Sequence, residues 1–213
     1  MSFTNRMFSW RFSIVVWVLS ATVVDFNLVA AKALSPEEEY TRVIDERSRV
    51  IVAQLDLQDD ALARRIEKII AEQYRSLRGI HDARDTEIAS LQKSAQSQTS
   101  DEDGLIEQVR QASSIKQFQL HRSFVARLSA ELTPDQVNGI KDGMTYGVLP
   151  KTYAQYLRTL PSLTEDQKHN ILALLIEARE YAMDAGSSDE KHGWFRKYKG
   201  KINNFLSSAG YKL

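Results

Sequence analysis

The chain reads as all-α, a single-domain helical bundle of about six to seven helices. Three observations lead there. Glycine and proline are scarce, 9 and 4 in 213 residues, whereas the helix formers Ala, Leu, Glu, Arg and Gln abound. Apolar residues recur at three- and four-residue intervals, the period of a buried helix face. Ser or Thr repeatedly stands three residues before Glu or Gln, the spacing of a capping box, in which each side chain bonds the other residue's backbone N–H.

The first box is Ser35-Pro36-Glu37-Glu38, with proline where a helix has no N–H to satisfy. Tyr40, Val43, Ile44, Arg47, Val50, Ile51 and Leu55 follow at helical spacing. A break at 56–59 precedes a second helix. Its face is Leu62, Ile66, Ile69, Ile70, Gln73, Tyr74, Leu77 and Ile80, and Gly79 weakens its end. From His81 the pattern fades. Residues 92–103 (QKSAQSQTSDED) lack an apolar face, so a mobile polar loop is expected near 92–103. Asp103 then stands where it can cap a long third helix, with Leu105, Val109, Ala112, Ile115, Phe118, Phe124 or Val125, and Leu128 as its stripe.

Two Leu-Thr-x-Asp-Gln blocks, at 132–136 and 163–167, repeat one device. Thr caps, an acid sits in the first turn where the helix dipole favours it, and Gln reaches back to the cap. Between the blocks, two glycines and a proline at 141–150 turn the chain, and a short helix at 151–160 carries Tyr153, Tyr156 and Leu157. The helix opened by Thr164 buries Ile171, Leu174, Leu175, Ala178 and Ala182 and ends at Gly186. The last helix ends at Gly210 and turns Phe195, Tyr198, Ile202, Phe205 and Ala209 inward.

Composition excludes several functions. The 28 Lys+Arg balance 28 Asp+Glu, which argues against a nucleic-acid partner. The absence of cysteine removes disulfides, thiolate metal sites and thiol catalysis. His81, His121, His169 and His192 show no zinc spacing, so no metal is expected. No phosphate-binding loop, dinucleotide glycine pattern or nucleophile-elbow motif occurs, and no cofactor is expected.

The N-terminus has the form of an export signal. Arg6 and Arg11 precede an uncharged apolar run at 12–24, and Ala31-Lys32-Ala33 places small residues for cleavage after Ala33. The competing reading is a retained anchor, but Asp25 stops the run short of the roughly 20 residues a span needs. The expected organisation is a signal peptide at 1–33 and one helical domain at 34–213, periplasmic or secreted, with no membrane contact after cleavage. Cleavage removes Arg6, Arg11, Lys32 and Asp25, leaving a net charge of −2. It also removes Trp10 and Trp17, so Trp194 remains as the sole tryptophan.

Candidate chemistry concentrates in the last third. Gly193, Lys197, Gly200 and Asn204 share one stripe of the last helix, and His192, Lys199 and Asn203 another. Paired mid-helix glycines point to close approach of either a second helix or a ligand. Glu177, Glu180 and Asp184 line the preceding helix, with Arg179 beside them. A short connection makes the two helices antiparallel neighbours, so these carboxylates are expected to face His192, Lys197 and Lys199. The set reads either as an acid/base or ligand site, or as an inter-helix salt-bridge network.

The candidate catalytic groups are His192, Glu177, Asp184 and Tyr146. The candidate ligand-binding groups are Trp194, Lys197, Lys199, Asn203, Asn204 and Lys141. Trp194 fits either a sugar-stacking platform or the core. The expected partner is a carbohydrate or other polar ligand.

The segments KDGMTYGVLPKTY (141–153), PSLTEDQK (161–168), the run at 177–206 and the ending GYKL resemble an uncharacterised family of secreted bacterial proteins. The resemblance implies an exported helical protein of a kind often associated with polysaccharide-using gram-negative bacteria, and it assigns no catalytic residue. The two Leu-Thr-x-Asp-Gln blocks are also similar to the motif of periplasmic Spy-like helical chaperones. Three functions therefore stand at this stage: a binding protein, an enzyme on a polysaccharide-derived substrate, and a chaperone.

Overall fold

The computed structural model describes residues 34–94 and 100–212. The proposed signal peptide at 1–33 lies outside the described residues. Seven helices follow one another: α1 (Pro36–Ala53), α2 (Asp60–Ser94), α3 (Ser100–Ser129), α4 (Pro134–Met144), α5 (Val148–Thr159), α6 (Glu165–Met183) and α7 (Ser188–Ser208). No strand occurs among the described residues. No described helix is long and apolar enough to cross a membrane.

The helix starts follow the sequence closely because capping is local chemistry. Ser35, Thr133 and Thr164 each close a full capping box, with Glu38, Gln136 and Gln167 as the returning partners. The Leu before each Thr is buried, but in different places. Leu132 joins a core built from α1, α2, the end of α3 and α4, while Leu163 joins one built from α5, α6 and α7. Asp59 caps α2 by accepting from the Ala61 and Leu62 N–H groups.

The α2–α3 pair departs from expectation. Helix α2 runs 15 residues past Gly79, which lies inside it, and α3 begins before Asp103, the expected cap. Residues 92–94 and 100–103 of the expected loop are therefore helical, and 95–99 lie outside the described residues. At 35 residues α2 is about 52 Å long. Its distal half is rich in good helix formers and is packed along α3, so it does not need a broad apolar face of its own.

The stripe on α3 is also displaced. Leu105, Ile115 and Phe118 are exposed, whereas Ile106, Ser113, Phe124 and Leu128 are buried. Polar residues occupy the middle of the inward stripe: Gln117 donates to Ser113 Oγ at 3.1 Å, and His121 follows one turn on. On α1, Val43 and Val50 are likewise exposed, and Ser48 and Val52 are buried instead. Ser48 enters the core without penalty because its hydroxyl bonds the Ile44 carbonyl at 2.7 Å.

Tight backbone approach occurs at glycines other than those expected. A Cβ on Gly143 would meet Ile51 at 2.9 Å, and one on Gly139 would meet Leu55 at 2.8 Å, so α4 lies against α1 and its following turn. Gly200 has nothing within 4 Å, and Gly193 meets only the Arg196 guanidinium at 3.7 Å. The glycine stripe on α7 therefore reflects neither helix packing nor a neighbouring backbone.

Candidate functional site

Two polar regions sit side by side where α2, α3, α4, α6 and α7 meet. The first is an ion-pair junction. Asn138, Lys141 and Asp142 share one face of α4 and meet Arg179 and Glu180 of α6. The Arg179 guanidinium is 4% exposed and donates to Asp142 at 2.9 Å, Asn138 at 2.8 Å and Glu180 at 3.3 Å. Lys141 Nζ donates to Glu180 at 2.7 Å. From α3, His121 places Nε2 3.3 Å from Glu180 and Nδ1 2.9 Å from Asp184.

The titration of these groups follows from their neighbours. Asp184 first, then Glu180, holds the proton on His121 and raises it to about 9 against the opposing effect of burial. Burial pushes the Glu180 carboxyl up, but His121, Lys141 and Arg179 outweigh it and hold the group at about 2. The junction thus sets Lys141, Arg179 and His121 against Asp142, Glu180 and Asp184.

The C-terminal end of α6 is secured from two further helices. Lys191 of α7 donates to the Ala182 and Met183 carbonyls at 3.0 and 3.1 Å. Burial pushes the Lys191 ammonium down to about 8. His81 of α2 places Nε2 2.8 Å from the Asp184 carbonyl. A carbonyl only accepts, so Nε2 is the donor in this bond. The ring lies so close to Gly186 that a Cβ there would stand 3.0 Å from His81 Cγ. Gly186 thus lets the α6–α7 turn close over His81.

The second region is an open cleft of about 870 Å³ between the α2–α3 pair and the α6–α7 turn. That volume falls within the range of small-ligand sites. Asp184 and His81 belong to its lining, so it shares a wall with the junction. His81 Nδ1 and Asp184 Oδ1 are buried without a hydrogen-bond partner in the protein.

Aromatic rings face each other across the cleft. Phe118 of α3 is 60% exposed on one side. On the other, Tyr181 stacks on Trp194 with ring centres 4.5 Å apart and planes 15° from parallel. Tyr181 is 48% exposed and so is the outer ring of the pair. Lys197 Nζ sits 4.9 Å from the centre of the Trp194 ring. Arg84, Asp85, Arg110 and Glu190 complete the charged lining.

The expected site residues do not converge on one place. Trp194, Lys197 and Asp184 line the cleft. Trp194 contributes as the backing of Tyr181 and as a partner of Lys197, since both contacts use its ring. Lys141 belongs to the junction. Lys199 lines a different pocket, of about 390 Å³, with Lys151, Gln155 and Tyr156. Beside it the Tyr156 hydroxyl donates to Asn203 Oδ1 at 2.8 Å. The Asn204 side chain is exposed, and its carbonyl accepts from Ser208.

Lys197 and Lys199 part because positions two apart on a helix stand about 200° around its axis. His192 stacks on Tyr146 with ring centres 5.7 Å apart, away from any of the three carboxylates. Tyr146 has φ +59°, an unusual conformation for a residue with a side chain, and Gly147 follows at +63°. Glu177 lies beside Tyr198, whose hydroxyl is pushed up by burial and then by that carboxylate. The expectation that the α6 carboxylates face His192, Lys197 and Lys199 is thus corrected: Glu180 and Asp184 turn to α3 and α4.

Tyr181, Phe118, Arg110 and His121 were not among the expected site residues. Phe118 was placed in the core because only its apolar character was visible. The detectable signal was the polar series Ser113, Gln117, His121 at four-residue intervals, which marks a polar inward stripe on α3.

Residues 41–213 match the model of the family described as protein of unknown function (DUF3826). The chain belongs to this family. No curated protein matches it. The DUF3826 match takes in α2 to α7 whole and α1 from residue 41 on, so the junction and the entire cleft lining lie inside the family domain. Among the described residues, no group of three or more His, Asp or Glu is placed to hold a metal ion.

Proposed function

We propose that the protein is exported by cleavage after Ala33 and binds a polar ligand of the carbohydrate class in the cleft between α3 and the α6–α7 turn. The observation behind this is the exposed, stacked Tyr181 in a cleft large enough for a small saccharide, rimmed by charged donors. An aromatic face held rigid by a second ring offers a flat apolar surface at little entropic cost, and the C–H face of a pyranose matches it. Charged and polar groups at the rim then orient the hydroxyls.

Binding is favoured over catalysis by the positions of the acid/base candidates. His192 and Tyr146 stand together, Glu177 pairs with Tyr198, and Asp184 is engaged by His121. The candidate acid/base groups His192, Tyr146, Glu177 and Asp184 thus do not converge on one reacting position, which general acid–base chemistry requires.

The test is intrinsic fluorescence. Adding a binding oligosaccharide to the exported chain should shift Trp194 emission in a saturable way, and the shift should be lost in Tyr181→Ala, which keeps the Trp194 reporter. A shift that survives in Tyr181→Ala, or no shift across a panel of neutral and acidic oligosaccharides, would rule the reading out. The export part is checked by N-terminal sequencing of the secreted chain, with Leu34 as the expected first residue.

A further inference from the structure

We propose that the ligand of the cleft is an anionic sugar of the uronate class, with its carboxylate held by Arg110 and Lys197 and its ring on Tyr181. The inference rests on the cleft being a carbohydrate site and adds the charge its occupant must carry.

The argument follows from what each charged group in the lining already touches. Three cations and three carboxylates line the cleft: Arg84, Arg110 and Lys197 against Asp85, Asp184 and Glu190. In number they cancel, but in contact they do not. Asp85 accepts from Arg84 at 2.8 Å. Asp184 is held by His121 at 2.9 Å. Glu190 accepts from the Gly186 N–H at 2.8 Å, an intrachain contact across the α6–α7 turn. Each lining carboxylate therefore has one oxygen engaged inside the protein.

Arg110 and Lys197 have no carboxylate within ion-pair distance among the described residues. Arg110 stands on α3 about one turn before the buried Ser113, and Lys197 stands on α7 against the Trp194 ring. They approach the cleft from its two opposite walls. An arginine fork and a lysine point charge facing one space form the donor set that a carboxylate takes. His121 adds to this. Its Nδ1 lies 2.9 Å from Asp184 Oδ2, so this acid of the lining is already paired with a group inside the protein.

The ring position follows from the aromatic contacts. Lys197 Nζ lies 4.9 Å from the Trp194 centroid, and Trp194 backs Tyr181 at 4.5 Å. A carboxylate drawn to Lys197 thus brings the sugar ring that carries it beside Tyr181. Lys199 contributes nothing here because it opens into the α5–α7 pocket.

The experiment is calorimetric titration of the intact chain with three probes of equal length: trigalacturonic acid, its methyl ester and neutral galactotriose. The acid should bind roughly 10- to 100-fold more tightly than the ester or the neutral sugar, the range of one or two charge-assisted hydrogen bonds. That margin should shrink with added salt. Arg110→Gln and Lys197→Gln should each remove most of the margin, weakening the acid far more than the ester. Both side chains are exposed, so the variants should melt like wild type. Tyr181→Ala should weaken all three probes by a similar factor.

Ester and neutral sugar binding as tightly as the acid would overturn the uronate inference and leave the carbohydrate reading standing. So would a margin that persists in both charge variants. Absence of binding by all three probes, or binding indifferent to Tyr181→Ala, would overturn both.

Discussion

The junction and the cleft lie against each other, share Asp184 and His81, and are made of the same residue types. They differ in whether their charges are met. In the junction, Arg179, Lys141 and His121 each have carboxylate partners within 3.3 Å, and the guanidinium is almost wholly buried. In the cleft, two cations lack a carboxylate, and two aromatic rings stand exposed. A buried group without a partner carries a large desolvation cost, so the junction must be complete for the chain to fold. A solvent-open cleft is under no such demand and can keep donors for a ligand. Similar sequences of polar residues thus serve stability in one place and recognition a few ångströms away.

Perturbations should separate the two regions. The largest effect should come from Arg179→Leu, which leaves Asp142 and Asn138 without their shared donor. A loss of about 3–5 kcal/mol is expected in urea unfolding, the range for breaking a buried pair. A loss below about 1 kcal/mol would place the junction among ordinary surface ion pairs.

Next in size is the pH dependence of stability. His121 is raised from 6.5 to about 9, so its contribution is whole below 6.5 and is lost as pH rises through about 9. At full separation that is about 3 kcal/mol. Lys191 is lowered from 10.5 to about 8, and the sign reverses: the folded state sheds this proton first, so stability gains between about 8 and 10.5. Unfolding free energy should therefore fall from pH 6.5 to 8 and recover above pH 9. In His121→Gln the fall should disappear and the recovery should remain. A wild-type profile flat across pH 6.5 to 8 would contradict the His121–Asp184–Glu180 geometry.

Two glycines give effects of opposite sign. Gly186→Ala sets a methyl 3.0 Å from the His81 ring, and the ring cannot retreat without losing the Asp184 carbonyl. A cost of about 1–3 kcal/mol is expected, typical of overpacking. Gly193→Ala, on the cleft wall with only a guanidinium 3.7 Å away, should gain up to about 1 kcal/mol from helix propensity. Thermal melts of the two variants distinguish these outcomes directly. Tyr181→Ala, which removes the outer ring of the stack on Trp194, should cost about 1 kcal/mol.

The legible and illegible parts of the molecule divide along the range of the physics. Helix starts at Ser35, Thr133 and Thr164 were readable because a capping box lies within four residues. The last two helices were readable because Ile171, Leu175, Phe195 and Ile202 keep a clean period. Helix α3 was misread because its inward stripe carries Ser113, Gln117 and His121, while Leu105, Ile115 and Phe118 point outward. Periodicity detects apolar residues and cannot tell which helix will supply a carboxylate to a buried histidine. The pairing of His121 with Asp184 spans 63 positions, and nothing in either neighbourhood announces it. For the same reason Trp194 and Lys197 could be nominated, but Tyr181, Phe118 and Arg110, the groups that make a cleft of them, could not.

The central claim is that ligand binds between α3 and the α6–α7 turn. Hydrogen–deuterium exchange of the intact chain, with and without saturating trigalacturonic acid, tests it most directly. The account predicts slowed exchange in peptides covering 106–118 and 181–197, with 151–160 and 199–206 unchanged. Protection confined to 151–160 and 199–206 would move the site to the α5–α7 pocket, and no protection anywhere would leave the cleft without a ligand of this class.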